Sequence, residues 1–340
     1  MPRVSVLMPM FNAREFVGDS IRSVLSQTFE DFELIIVDDA STDGSDVVVA
    51  EFFDKRVRYL KNAHNLGLAG ARNVAIQAAD CEYLAWLDAD DLSLPDRLEK
   101  QQAAFDADAN LALCGTWVRH FGVGDNRVRR LPTDSDVLRG RMLFDNPIVT
   151  SSVMLRRKLI QPEQLAFNQE YPPAEDYELW SRIAAERKII NIPEVLTLYR
   201  IHSKQASALS QSQQLKAVGQ IQVNLLIKLG LVPTEKELAW HSEIGPMWRF
   251  PKSATGIKEL ERWLLKIVDG NARVKLFPTV GLNAVVAERW FYAIREALPC
   301  PDLSSLRYSK SRLGRLNPKW MRNQLHLVST DLKRSIGIDV

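Results

Sequence analysis

The chain has 340 residues, of which 46% are apolar and 25% charged, and its formal net charge is +2. This balance excludes a largely disordered chain, and the near-neutral total argues against a dedicated nucleic-acid binder. Sixteen Gly and sixteen Pro without a repeat exclude a collagen-like architecture, and no apolar run approaches the roughly 18–20 residues that span a bilayer. The N-terminal Met1-Pro2-Arg3-Val4-Ser5 runs straight into a strand-like segment with no signal-peptide pattern. Cys81, Cys114 and Cys300 are too few and too scattered for a disulfide framework or a metal cluster. Both features predict a cytoplasmic protein. The small total hides a gradient, because residues 301–340 carry eight Lys/Arg against three acids and residues 1–300 carry 36 against 39.

In chain order, short apolar runs at Val4–Met8, Phe32–Val37, Val57–Leu60, Tyr83–Leu87 and Leu111–Val118 read as buried strands. Helix-period stretches lie between them, such as Phe16–Leu25 with Phe16, Val17, Ile21, Val24 and Leu25 on one face. This alternation predicts right-handed crossovers and an α/β fold with a mostly parallel sheet covered on both sides. Ser41-Thr42-Asp43-Gly44 supplies capping side chains before a helix at Val47–Phe53, and Pro95 takes a first-turn position before Asp96–Phe105. A helix-like Ser135–Leu143, a strand-like Ser152–Arg156, a Pro-rich turn at Tyr171-Pro172-Pro173, a helix over Asp176–Glu186 and an extended Ile189–Ile201 follow. Beyond Ser203 apolar residues recur at helical spacing in Leu215–Leu229, Glu235–Ile244, Ile257–Val268 and Ala284–Leu298. Residues 1–205 are thus expected to form one domain, with 206–340 a helical C-terminal region.

In an open parallel sheet, ligands bind beyond the carboxyl ends of the strands, where loops and helix N-termini converge. Asp88-Ala89-Asp90-Asp91 directly follows the apolar Tyr83–Leu87. Three carboxylates so close repel one another, unless solvent or a cation relieves them. Hard oxygen ligands favour Mg²⁺ or Mn²⁺ bridging to substrate phosphates; a solvated, helix-capping turn is the plainer reading. Asp38-Asp39 either shapes the turn before Ser41 or accepts a hydrogen bond from a base or ribose. Arg72 pairs with a surface acid or forks onto a diphosphate. Asn65–Gly70 lacks the spacing of a dinucleotide loop or a P-loop. Glu175-Asp176 either complements a helix dipole or supplies a general base, with Trp180 on the same helix face as an anchor. His202 ends the last strand-like run, as a structural imidazole or a ligand to a carboxylate-bound cation.

Taken together, Val4–Asn12, Ser23–Asp43, Gly70-Ala71-Arg72-Asn73, Asp88–Asp91 and Glu175-Asp176 resemble family 2 glycosyltransferases of the GT-A fold, over about residues 3–205. The resemblance implies inverting transfer of a sugar from a nucleotide-sugar donor, usually a UDP-sugar, to an acceptor hydroxyl in polysaccharide or glycoconjugate synthesis. Carried over, it implies Pro9 and Asn12 in the nucleoside pocket, Asp39 on the base and Arg72 on the nucleotide or its phosphates. Asp88 and Asp90 match the D-x-D element, with Asp90 the metal ligand, Asp88 nearer the ribose or donor sugar, and Asp91 a substitute for either. Asp176 matches the catalytic base, and His202 resembles a C-terminal metal ligand of some relatives. Mg²⁺ or Mn²⁺ is the implied cofactor, and a saccharide or lipid-linked saccharide the implied acceptor.

Processive members often carry Gln-x-x-Arg-Trp beside membrane helices. Here Arg289-Trp290 is present, but Val286 stands at the Gln position and no spanning run follows, which favours transfer of a single sugar. The basic 307–322 stretch, with Leu316 and Trp320, is either a solvated face or a contact for an anionic membrane surface. The helical region also suits a homo-oligomer. A nucleotidyltransferase lacks its Lys- and Gly-rich signature after the first strand, and the intact Asp90 and Asp176 argue against a catalytically silent nucleotide- or carbohydrate-binding protein.

Overall fold

The computed structural model describes residues 2–124, 126–203, 205, 211–245, 249–251, 253–297 and 311–316. The described residues form two compact units. One comprises the described residues of Met1–Leu138 with Asn146–Ile221, and the other Arg139–Asp145 with the described residues from Gln222 onward.

The first unit opens with β1 (Val4–Met10), α1 (Val17–Leu25), β2 (Phe32–Asp38), α2 (Ser45–Val49), β3 (Val57–Lys61), α3 (Gly67–Ala78) and β4 (Tyr83–Trp86). It continues through β5 (Leu92–Ser93), α4 (Arg97–Ala107), β6 (Leu111–Gly122) and β7 (Val128–Arg129) to α5 (Ser135–Arg141), whose last residues pass into the other unit. After that come β8 (Met154–Arg156), α6 (Glu175–Glu186), β9 (Lys188–Ile201) and α7 (Gln211–Lys228). The sheet order is β3-β2-β1-β4-β8-β6-β9-β5, with β7 beside β6.

Every residue of β1, β2 and β4 is buried, as near-continuous apolar runs require when helices cover both faces. β1 pairs in parallel with β2 and β4, and β2 with β3, so these strands deliver their carboxyl ends to one edge. β8 runs antiparallel to β4 and β6, and β6 and β9 form a further parallel pair. The GT-A layout expected from the sequence is present.

An aromatic cluster sets the position of α6. Trp86 meets Trp180 at 5.6 Å and Phe167 at 6.0 Å between ring centroids, and Phe167 meets Trp180 at 5.8 Å, all edge-on. Each such contact contributes about 0.5–1.5 kcal/mol beyond area burial. Trp86 lies two residues before Asp88 and Trp180 four after Asp176, so this packing brings the two acidic segments to one place.

Local starts differ from the sequence expectation. α2 begins at Ser45 behind Gly44, whose φ is +84°, and Asp43 caps through its neighbour by accepting the Ser45 N–H at 3.0 Å. Pro95 sits one residue before the N-cap Asp96 of α4 instead of inside its first turn.

The second unit contains α8 (Glu235–Ile244), α9 (Ala254–Val274) and α10 (Thr279–Ala297), together with the later part of α7. A reciprocal capping box between Thr234 and Glu237 starts α8. The Arg289-Trp290 pair is structural here: Arg289 is fully buried and donates to Asp145 at 2.9 Å, while Trp290 donates to Ser311 at 2.8 Å. No helix among the described residues is long and apolar enough to cross a membrane. Of the basic tail, Arg312 pairs with Asp269, and Arg315 and Leu316 are described. Cys300, Arg307, Lys310, Lys319, Trp320, Arg322, Lys333 and Arg334 lie outside the described residues.

Candidate active site

A cavity of about 1320 Å³ opens within the first unit at the carboxyl edge of the parallel strands. Pro9, Asn12, Asp39, Arg72, Asp88, Asp90, Asp176 and His202 all line it. Asp91 is outside the lining. It is buried, and its Oδ1 accepts the Arg200 N–H at 2.8 Å, so it braces β9 and does not substitute for Asp88 or Asp90. Burial, with Asp90 and Asp88 nearby, pushes its pKa well up.

The end of β2 separates two adjacent carboxylates. Asp38 is structural, accepting the Ser41 N–H at 2.8 Å and the Tyr59 hydroxyl at 2.6 Å. Asp39 points the other way and accepts the Leu66 N–H at 2.9 Å and the Asn62 amide at 2.7 Å, tying this edge to the start of α3. Between these loops Ala40 has φ +62° and Asn12 φ +48°. The left-handed form suits Asn far better than Ala, so the Ala40 turn is a strained one beside the cavity. Asn12 secures it from both sides, donating its N–H to Ser41 Oγ and accepting the Thr42 N–H, each at 2.9 Å.

Arg72 is almost fully buried and spans two acids: Nη1 donates to Glu175 at 3.0 Å and Nη2 to Asp88 at 3.1 Å. Its guanidinium also lies 5.2 Å from the Phe167 ring centre. Burial alone would lower its pKa, but Asp88, Glu175 and Asp176 outweigh that and hold it above the ordinary value. The same burial lifts the Glu175 pKa despite Arg72. Further along, Asp90 Oδ2 lies 2.9 Å from His202 Nε2, and the imidazole packs against Phe16. Burial and the Asp88 charge push the Asp90 pKa up, with His202 opposing.

Asp176 is held from three sides. Oδ1 accepts its neighbour's Tyr177 N–H at 2.6 Å, and Oδ2 accepts Thr150 Oγ1 at 2.9 Å and the Asn146 amide at 3.2 Å. Trp180 Nε1–H in turn donates to Thr150 Oγ1 at 3.4 Å, which turns the single hydroxyl proton of Thr150 toward Asp176. Burial raises the Asp176 pKa; Arg72, Thr150 and the Tyr177 N–H oppose that without cancelling it. A carboxylate so held, facing an open cavity with its pKa tuned upward, is suited to accept a proton.

The residues that sequence reading missed are Asn146 and Thr150; Glu175, read only as one of an acidic pair with Asp176, is the buried partner of Arg72. Asn146 and Thr150 come from the segment before β8, where the only trace is the hydroxyl run Thr150-Ser151-Ser152.

Comparison with known proteins gives the family and the fold. The family model for glycosyl transferase family 2 matches residues 5–161. An Escherichia coli relative, UDP-Glc:alpha-D-GlcNAc-diphosphoundecaprenol beta-1,3-glucosyltransferase WfgD, is 31% identical over 207 residues, covering 60% of this chain and 79% of that protein. The chain belongs to glycosyl transferase family 2. It is a glycosyltransferase. The crystal structure of S. aureus TarS 1-349 in complex with UDP-GlcNAc shares the fold, with 18% identity and a TM-score of 0.59 over 90% of this chain and 91% of that one. The mannosyltransferase PcManGT from Pyrobaculum calidifontis, in complex with GDP-Man and Mn2+, does so with 19% identity and a TM-score of 0.54 over 98% and 86%.

Proposed function

We propose that this glycosyltransferase moves a single sugar from a UDP-sugar to an acceptor hydroxyl with inversion at the anomeric carbon, and that Asp176 is its general base. One observation carries the reading: the Thr150- and Asn146-held carboxylate of Asp176 shares a cavity with Asp39, Asp88, Asp90 and His202. The UDP-Glc in the name of the E. coli relative and the UDP-GlcNAc in the TarS complex support a UDP-sugar over the GDP-Man of PcManGT.

Pro9, Asn12 and Asp39 form the nucleoside end of the site. Asp88, fixed by Arg72, faces the ribose or donor sugar, and the Arg72 charge offsets the acids around the diphosphate. The residues present fit a divalent cation. Asp90 and His202 converge to 2.9 Å, and burial together with the Asp88 charge disfavours ionised Asp90, which a cation would relieve. Among the described residues no group of three or more His, Cys, Asp or Glu side chains is placed to hold a metal, so Asp90 and His202 would hold a cation only with help from oxygen ligands of the substrate. When bound, Mg²⁺ or Mn²⁺ held by Asp90 and His202 would neutralise charge growing on the departing diphosphate. Asp176 takes the acceptor proton as the hydroxyl attacks from the face opposite the nucleotide.

The net charge of +5 over residues 301–340 supports an enzyme that meets its acceptor at an anionic membrane surface from the cytoplasmic side. A sugar-nucleotide panel read by nucleoside diphosphate release tests the donor. Asp176→Asn is expected to keep donor binding and lower turnover by a factor on the order of 100 or more. Near-normal transfer by that variant overturns the base assignment.

A further inference from the structure

Within Gly70-Ala71-Arg72-Asn73 of α3, Arg72 lines the cavity and Asn73 does not. The Asn73 side chain is nonetheless paired twice. Its Nδ2–H donates to the Phe167 carbonyl at 2.9 Å, and the Phe167 N–H donates back to Asn73 Oδ1 at 2.8 Å, 94 positions away in sequence. An amide gives and accepts at once in this way, whereas an ionised Asp lacks the donor and Leu lacks both groups. The segment so held has little regular structure of its own. Between β8 and α6 the backbone makes two short 3-10 turns, at Arg157–Leu159 and Pro162–Gln164, before it reaches Glu175. Arg182 of α6, itself held by Glu178, donates to the carbonyls of Gln164 at 2.6 Å and Ala166 at 2.7 Å. Asn73 takes the next residue, so the segment is fastened to two helices at neighbouring positions.

That fastening aims one ring. The buried Phe167 ring lies 5.2 Å from the Arg72 guanidinium, 5.8 Å from the Trp180 ring and 6.0 Å from that of Trp86. Successive residues of a helix point about 100° apart, so Arg72 and Asn73 hold Phe167 by different parts, one by its ring and the other by its backbone. Beyond Phe167, Arg72 donates to Glu175, the neighbour of Asp176. Trp180 donates to Thr150, which in turn donates to Asp176. The ring thus bears on Asp176 by two routes. From Phe167 the chain runs through residues 168–174 to α6, and Pro173 and Ala174 line the cavity together with Asp176.

We infer that Asn73 is a positioning residue for the transfer step: by pairing with the backbone of Phe167 it sets the ring that holds Arg72 and Trp180, and so fixes where the Asp176 carboxylate meets the acceptor hydroxyl. The inference rests on the reading of Asp176 as base. Misplacing a reacting group by about 1 Å costs on the order of 100-fold in rate, so a backbone pair outside the cavity acts on turnover. The nucleoside end stands on other contacts. Asp39 is set by Asn62 and Leu66, and Asn12 by Ser41 and Thr42. Loss of the Asn73 pair should therefore separate turnover from nucleotide binding.

Three variants of the full chain test this: Asn73→Ala; Asn73→Gln, which keeps the amide on a longer arm; and Phe167→Leu, which keeps the backbone pair and removes the ring. Each is measured for UDP binding by calorimetry, whose stoichiometry counts intact sites, and for turnover per intact site with the best donor of the sugar-nucleotide panel and a soluble saccharide acceptor. Backbone hydrogen exchange is the third measurement. Asn73→Ala is expected to keep UDP affinity within about twofold and to lose turnover per site on the order of tenfold to a hundredfold. Its exchange should quicken over residues 168–180 and stay unchanged in β1 and β2. Phe167→Leu should lose turnover in the same way, and Asn73→Gln should recover part of it. In the Asp176→Asn background Asn73→Ala should cost no more than about a further twofold, because its effect runs through that carboxylate. Turnover per site within about twofold of wild type in Asn73→Ala, an equal loss of UDP affinity, exchange quickened throughout the sheet, or a full additional loss in the Asp176→Asn background overturns the positioning role. Near-normal transfer by Asp176→Asn alone overturns the base reading instead, and hydrogen exchange then still decides whether Asn73 holds residues 168–180.

Discussion

The two units bury ionisable groups in opposite ways. In the first, Asp88, Asp90 and Asp176 meet at an open cavity, and their partners hold them in place while leaving a face for ligand. In the second, the buried His241 is closed off by its neighbours. His241 places Nε2 2.8 Å from the Leu143 carbonyl and receives the Trp263 N–H on Nδ1 at 3.3 Å, with Phe144 stacked on its ring. Both nitrogens are used, which fixes a neutral imidazole with the proton on Nε2. Arg289 and Arg141 likewise converge on Asp145. A perturbed pKa therefore marks function only where the group also faces open space, and His241, pushed down to about 4, is the counterexample.

Arg72 blurs this contrast, since it belongs to the cavity wall yet is paired as tightly as Arg289. Arg72→Gln should leave the Glu175 carboxylate buried without its cation and destabilise the protein by about 3–5 kcal/mol. Urea unfolding reads this directly, and a loss below about 1 kcal/mol would make Arg72 a ligand group and not a structural clamp.

His241 sharpens the other side. Its folded pKa lies below the ordinary 6.5, so the unfolded chain binds the proton first. Stability from this site is complete above about pH 6.5 and drains away as pH falls toward 4, by about 3 kcal/mol in total. The stability difference between wild type and His241→Gln should shrink across that window. A difference that is constant from pH 7 to 4.5 contradicts the neutral, closed imidazole.

Asp90→Asn should lower transfer on the order of 100-fold or more while leaving the unfolding midpoint nearly unchanged, because this carboxylate serves the ligand and not the core. Chelation of the wild type should abolish activity, with Mn²⁺ or Mg²⁺ restoring it. Full activity after exhaustive chelation would remove the cation from the proposed function.

The smallest effect is the most specific. Thr150→Val removes a hydrogen bond that favours ionised Asp176, so the carboxyl pKa should rise further and the acid limb of kcat/KM should move to higher pH by about one unit. Thr150→Ser should restore the wild-type limb, and Trp180→Phe should shift it in the same direction by less. An unmoved limb in Thr150→Val would mean that Thr150 only packs against α6.

Much of the site was legible because its parts are contiguous. Asp88-Ala89-Asp90-Asp91 behind an apolar strand and Glu175-Asp176 at a helix start are local patterns, and local patterns survive in one dimension. The choice of Asp39 over Asp38 and of Asp176 over Glu175 came from the family resemblance and not from the local pattern, which treats the members of each pair alike. Glu175 and Asp176 are adjacent at a helix start, where neighbouring side chains diverge; both line the cavity, and with Trp180 packed on Trp86 one is held by Arg72 and the other by Thr150. Asp38 and Asp39 diverge at a strand end for a similar reason, and Asp91 turned inward to Arg200 of β9, 109 positions away. Asn146 and Thr150 left almost no trace because their role depends on a partner in a distant segment.

By itself, then, the sequence determined the strand-helix alternation, the carboxylate-bearing loops and the helical character of the later chain, since apolar periodicity and capping chemistry act over a few residues. Only the tertiary structure decided that the Arg289-Trp290 pair is a core element, that Arg72 is a clamp between two acids, and that Thr150 and Asn146 hold the Asp176 carboxylate. Those outcomes depend on which segments the sheet order brings together, and that order is set by long-range burial that no local pattern records.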